Sequence, residues 1–207
     1  MEATSHRMLI GVLLAWGAGL VISGIGPFDR TTWWLEVFPV LIAAPVLVAT
    51  RRRFPLTPLA LSLIVLHGAI LMYGGAYSYA RVPLGFEMQE WLGLTRNPYD
   101  KIGHFAQGFV PAIVAREVLI RRFALAPGAL TTFLVISICL GFSALYELIE
   151  WWAALALGQG ADEFLGTQGY QWDTQSDMFL ALIGAVTALL FLSRLHDRQI
   201  AALRMNR

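Results

Sequence analysis

Long apolar runs, broken by short polar or arginine-rich segments, organise this chain from end to end. A helix needs about 20 mostly apolar residues to cross a hydrocarbon core roughly 30 Å thick. Six stretches meet that requirement: 8–26, 33–50, 59–77, 102–120, 129–157 and 177–192. The pattern predicts an all-α, polytopic membrane protein, a single transmembrane domain over 1–207 formed by a bundle of about six helices. The stretch 102–120 is the most interrupted, by His104, Gln107, Arg116 and Glu117. Strands of a membrane barrel would alternate over about ten residues, and no such alternation is present. The segment Val82 to Leu94 has apolar residues at Leu84, Met88, Trp91 and Leu92 with Glu87 and Glu90 beside them. That spacing predicts a short helix lying in the membrane interface. Asn97-Pro98 predicts a turn before the fourth span.

Composition agrees with the pattern. Of the 207 residues, 57% are hydrophobic and 14% charged, against about 25% charged in a soluble domain. The chain is too apolar to be disordered, and its single cysteine excludes a disulfide scaffold. A net charge of +1 leaves no basic face for nucleic acid.

Arginine placement predicts the orientation. Arg7, Arg51, Arg52, Arg53, Arg121, Arg122, Arg194, Arg198, Arg204 and Arg207 fall at one set of helix ends, and Arg30, Arg81, Arg96 and Lys101 at the other. The bias puts both termini in the cytoplasm, as an even number of spans requires. The first apolar run is longer than a signal-peptide core and lacks a following Ala-x-Ala site, so it reads as a retained helix. All the tyrosines and all tryptophans but Trp16 then lie at or near outer ends, as an aromatic belt would.

The same topology collects acids at one depth. Asp100 and His104 are four residues apart at the outer start of the fourth span. Glu147 and Glu150 are three apart in the outer half of the fifth, and Asp173 and Asp177 four apart at the outer start of the sixth. Each spacing puts a pair on one helical face. Glu36, near the outer start of the second span, is placed to join them. A charge at the centre of a span costs about 2.5–3.5 kcal/mol on insertion scales, and two carboxylates one turn apart repel unless a proton or a cation intervenes. A divalent ion held by Asp100, His104, Glu147, Glu150, Asp173 and Asp177 would answer both demands. Carboxylates with one imidazole and no thiolate suit Mg, Mn, Fe or Zn. Plainer readings stand beside this one. Asp100 and Asp173 would serve as helix caps, His104 as an interfacial histidine bonded to a carbonyl, and Glu147 and Glu150 as partners of Lys101 or Arg96.

Other polar residues invite structural readings. His67 reads as a packed, hydrogen-bonded core histidine, Arg116-Glu117 as an inner-end ion pair or snorkelling pair, and Arg51 to Arg53 as a topology signal touching anionic lipid. The glycines of GVLLAWGAGLVISGIG read as close-packing positions, and Cys139 as inert. Ser78 and Ser176 lack the setting of a serine nucleophile.

The segments NPYDKIGHFAQGFVPAIVAREVLIRR, ALYELIEWW and QGYQWDTQSDMFLALIGA resemble the YjdF-like family of small bacterial inner-membrane proteins over nearly the whole chain. The D-K-x-x-H-F and D-x-x-x-D-M elements are similar, more distantly, to VanZ-like membrane proteins linked to glycopeptide resistance. The resemblance implies a multi-pass protein of the bacterial inner membrane and no particular chemistry. Asp100, Lys101, His104, Glu147, Glu150, Asp173, Gln175 and Asp177 carry it. The function expected from the residues is a metal-dependent enzyme acting on a lipid or lipid-linked envelope substrate, with Glu150 or Asp177 as general base. The alternatives are an ion or small-solute transporter and a structural subunit whose acids form ion pairs.

Overall fold

The computed structural model describes residues 2–157 and 168–205, with side chains described from 6 to 156 and from 168 to 205. The segment 158–167, with its acids Asp162 and Glu163, lies outside the described residues. Every element within them is helical: α1 (Glu2–Gly24), α2 (Arg30–Thr50), α3 (Pro58–Tyr77), α4 (Pro83–Leu92), α5 (Tyr99–Arg122), α6 (Ala129–Leu157) and α7 (Asp173–Met205). Five of them, α1, α2, α3, α6 and α7, are long and apolar enough to cross a membrane. In hydrocarbon only a helix or a closed barrel satisfies every backbone group internally.

Local chemistry sets the ends. Asp29 caps α2, its Oδ1 accepting from the Thr32 amide at 2.7 Å. Thr57 caps α3, with Pro58 in the first turn. Gly93 ends α4 in the left-handed region (φ 62°), where a residue without Cβ carries no penalty. The turn predicted at Asn97-Pro98 is present. Asn97 is buried, donates through Nδ2 to the Val82 carbonyl and accepts from the Tyr99 amide, both at 3.0 Å. Asn97, rather than Asp100, therefore serves the first turn of α5. The short helix predicted in Val82 to Leu94 is α4, with Trp91, Leu92 and Phe86 exposed.

The helices are arranged inside out. Leu14, Ile22, Phe133, Leu190 and Phe191 face outward, as a lipid solvent allows. The buried stripes are built from smaller or polar residues. On α6 they are Thr131, Val135, Cys139, Ser143, Glu147 and Glu150, at intervals of four and finally three. On α7 they include Asp173, Asp177, Ala181, Gly184, Ala185 and Ala188. The polar helix α5 packs against α3, α6 and α7, which is how it carries so many hydrophilic side chains.

The pairing of α5 with α7 is the most extensive in the molecule. A Cβ added at Gly108 would lie 1.8 Å from the Ala181 carbonyl oxygen, and one at Gly184 2.1 Å from that of Phe105. Small residues therefore let these two backbones touch. The glycines of α1 are less uniform than the sequence suggests. Gly19 and Gly24 pack near Met72 and Trp33, whereas Gly11 and Gly17 have nothing within 4 Å. The apolar run 177–192 lies inside a longer helix, because α7 continues past Leu192 to Met205.

Candidate functional site

Two buried polar clusters lie at opposite ends of α5, and they differ in how well they are satisfied. At the end carrying Arg116 and Arg121, the Glu117 carboxylate accepts from the Thr57 amide (3.0 and 3.2 Å) and hydroxyl (2.7 Å). It also contacts His196 Nε2 at 3.1 Å and pairs with Arg121. Arg116 turns instead to Asp197 at 2.7 Å and to His196 Nδ1 at 3.3 Å. The expected Arg116-Glu117 pair is thus replaced by separate partners, because adjacent helical residues point about 100° apart. His196 escaped the sequence reading, since hydropathy ends the apolar run before it. His67 is half-buried, and among the described residues it makes no hydrogen bond.

The opposite end holds the predicted acids. The first turns of α5 supply Asp100 and His104, the buried stripe of α6 supplies Glu147 and Glu150, and the first turns of α7 supply Asp173 and Asp177. His104 Nε2 lies 3.4 Å from Asp100 Oδ1 and 3.9 Å from Asp177 Oδ2. Its Nδ1 lies 3.2 Å from Gln107 Oε1 and 3.8 Å from Glu147 Oε1. One ligand atom from each of Asp100, His104 and Asp177 falls within 4.8 Å of the others. These distances follow from the helix contact below them: one turn on from His104, Gly108 lies on Ala181, which is one turn on from Asp177.

The remaining acids sit around this triad. Glu150 is buried one turn from Glu147 and makes no ion pair among the described residues. Glu36 is buried at the start of α2 and accepts from the Tyr146 hydroxyl at 3.3 Å. Asp173 is drawn off by Arg96, whose Nη1 lies 2.5 Å from Asp173 Oδ1. Arg96 therefore partners Asp173, and neither Glu147 nor Glu150 pairs with a lysine or arginine among the described residues. Gln107 was visible in the sequence only as an interruption of a span. Its position three residues beyond His104 was the available signal.

Glu147 Oε1, Asp173 Oδ2 and Asp177 Oδ1 are buried without a hydrogen-bond partner. A buried carboxylate oxygen left so is costly. Asp100, His104, Glu147 and Asp177 offer hard oxygen donors and one imidazole, a set that fits Mg, Mn, Fe or Zn. A Gln107–Nδ1 hydrogen bond would hold the ring so that the Nε2 lone pair points between the two aspartates, as partners of ligating histidines commonly do.

Trp34, Trp91, Trp151, Trp152 and Trp172 are exposed at this same end, as in a headgroup-level belt. Two tyrosines turn inward instead: Tyr79 and Tyr99 are buried, and Tyr99 donates to the Ile70 carbonyl at 3.1 Å. Cys139 is buried with its Sγ 3.6 Å from the Gly108 carbonyl oxygen.

Fold and cluster together define a multi-pass helical membrane protein with a buried carboxylate–histidine centre near one end of the bundle. The chain belongs to the DUF2238 family, described as a predicted membrane protein, whose sequence pattern matches residues 8–198. It is 62% identical over 181 residues to the inner membrane protein YjdF of Escherichia coli (strain K12), an alignment covering 87% of each chain. It is accordingly a protein of the bacterial inner membrane, in contact with the lipid bilayer, as the resemblance implies. No solved structure matches it significantly.

Proposed function

We propose that the chain crosses the inner membrane six times, with α5 as the fourth span in chain order beside the five more apolar helices. Both termini are then cytoplasmic, and the acidic end faces the outer side of that membrane. There the protein binds a divalent cation through Asp100, His104, Asp177 and Glu147, and acts as a metal-dependent enzyme on a lipid or lipid-linked envelope substrate. The observation that carries this reading is the meeting of three ligand atoms within 4.8 Å beside buried, unpartnered oxygens of Asp177 and Glu147.

A bound ion would polarise a phosphoryl or acyl oxygen or activate water. Glu150, buried and without an ion pair among the described residues, would take a proton from the nucleophile. Asp173, held by Arg96, braces the wall of the site. The separation of the two polar clusters favours an enzyme over a transporter. His104 and Glu117 are roughly 20 Å apart along α5 at 1.5 Å per residue. Between them lie buried Ala112, Ile113, Val135, Cys139, Ala185 and Ala188, and among the described residues no buried charged side chain.

Elemental analysis of the full chain purified in detergent tests the proposal. A divalent metal near one per chain is expected, with a melting temperature lowered by chelator and restored by Mn or Zn. Asp177→Asn should remove both the metal and the chelator response. A chain that binds none of Zn, Mn, Mg or Fe, and melts alike with and without them, would overturn the proposal.

A further inference from the structure

Beside the acidic centre lies a cavity of about 420 Å³ with a different character. It opens between the α4–α5 connection and the approach to α7, and its lining includes Thr95, Arg96, Lys101, Gln168 and Tyr170. Among the described residues its lining contains two cationic residues and no acid. Lys101 is the only lysine of the chain, and its ammonium makes no ion pair among the described residues. Arg96 is fixed in the wall, bonded to Asp173 and stacked over the Tyr170 ring at 4.5 Å. Gln168 is fixed as well, its amide bridging the Asn97 backbone at 3.1 and 3.0 Å.

We propose that this cavity binds the phosphate of a phospholipid or lipid-linked headgroup and holds it against the centre formed by Asp100, His104 and Asp177. The proposal rests on the enzymatic reading above and names its substrate class. Four observations support it. The volume lies within the roughly 300–1,000 Å³ range of small-molecule sites. Lys101 adjoins Asp100 in the chain, and Arg96 is bonded to Asp173, one turn from Asp177, so cavity and centre share a wall. A phosphate would place negative charge on the cationic lining while offering an oxygen toward a cation among the acids. Finally, α4 leads directly into the cavity with Trp91 74% and Leu92 64% exposed. A helix laid in the interface on such residues brings the cavity mouth to headgroup depth, where a lipid phosphate sits.

The test uses the full chain in detergent and reads ligand-induced shifts in melting temperature over a titration. The probes are short-chain phosphatidate, the matching diacylglycerol and inorganic phosphate. Phosphatidate is expected to stabilise and diacylglycerol not. Inorganic phosphate is expected to act only at much higher concentration. Lys101→Met should weaken phosphatidate binding about tenfold or more, the loss of one charge-assisted hydrogen bond, and Lys101→Arg should restore most of it. Equal binding by wild type and Lys101→Met, in protein with an unchanged melting temperature, would overturn the proposal. Inorganic phosphate binding as tightly as phosphatidate would overturn its lipid part. Metal content separates this idea from the one beneath it. Lys101→Met that keeps its metal and its phosphatidate affinity sinks the cavity alone. A metal-free wild type whose phosphatidate binding still depends on Lys101 sinks the metal centre alone.

Discussion

Glu117 and Glu147 are both buried carboxylates, yet their surroundings ask different things of them. Glu117 is met by Thr57, His196 and Arg121, so removing it strands the buried Arg121 cation and the donors around it. Glu117→Ala should destabilise by about 3–5 kcal/mol, the usual cost of breaking a buried ion pair, read as the midpoint of unfolding in mixed micelles. Glu147 has an oxygen without a partner, so Glu147→Gln should cost little in metal-free protein. In metal-loaded protein it should remove the stabilisation that metal confers, making melts with and without Mn coincide. An equal loss for both substitutions would show that the acidic end, too, is only structural. Asp29 provides a smaller, surface case. Its bonds to backbone amides, chiefly that of Thr32, hold its carboxyl below the ordinary aspartate range. A group whose folded pKa is depressed stabilises above its unfolded pKa and loses that contribution as pH falls through the folded value. Asp29→Ala should therefore cost about 1 kcal/mol at neutral pH and less once the wild-type carboxyl is protonated, since the neutral acid is a weaker acceptor. A cost unchanged at low pH would contradict the capping role.

At the scale of elements, the contact of α5 with α7 is the decisive one. Gly108 and Gly184 sit where a Cβ would strike backbone rather than a movable side chain. The two helices cannot keep their distance if either position gains bulk. Since His104 and Asp177 lie one turn beyond this contact, the cluster of Asp100, His104 and Asp177 is set by it. Gly108→Leu should destabilise by about 1–3 kcal/mol, as overpacking does, and weaken Mn binding although it touches no ligand. Gly17→Leu, at a position with nothing within 4 Å, should do neither. Manganese titration of both variants checks the pair, and Mn affinity unaffected by Gly108→Leu would detach the site from this contact.

For the whole molecule the leading prediction is topological. Reporter fusions after Arg53, after Arg122 and at the C-terminus should report cytoplasm, and fusions near Gly93 and Gly166 the outer side. A cytoplasmic signal at Gly166 would reverse the face to which the centre and its neighbouring cavity open. The arginine bias that sets this expectation acts through loops, whereas the position of α5 depends on its neighbours. Its polar residues keep it from qualifying as a span on apolarity alone, and packing against α3, α6 and α7 shelters it.

The sequence by itself determined the solvent and the helices. Hydropathy is a local property, and an apolar run long enough to span hydrocarbon has few alternatives to a helix there. It also determined which acids share a face, because three- and four-residue spacings fix that within any helix. Hence Asp100 with His104, Glu147 with Glu150, and Asp173 with Asp177 were legible as pairs. The tertiary structure alone decided who pairs with whom: Arg96 with Asp173, Arg116 with Asp197 and Glu117 with His196. Those partners are 77, 81 and 79 residues apart in the chain, and their meeting depends on how each helix is rotated against its neighbours. In a bilayer, where lipid is as apolar as leucine, small residues such as Gly108, Ala181 and Gly184 set that rotation, and a hydropathy pattern does not record it.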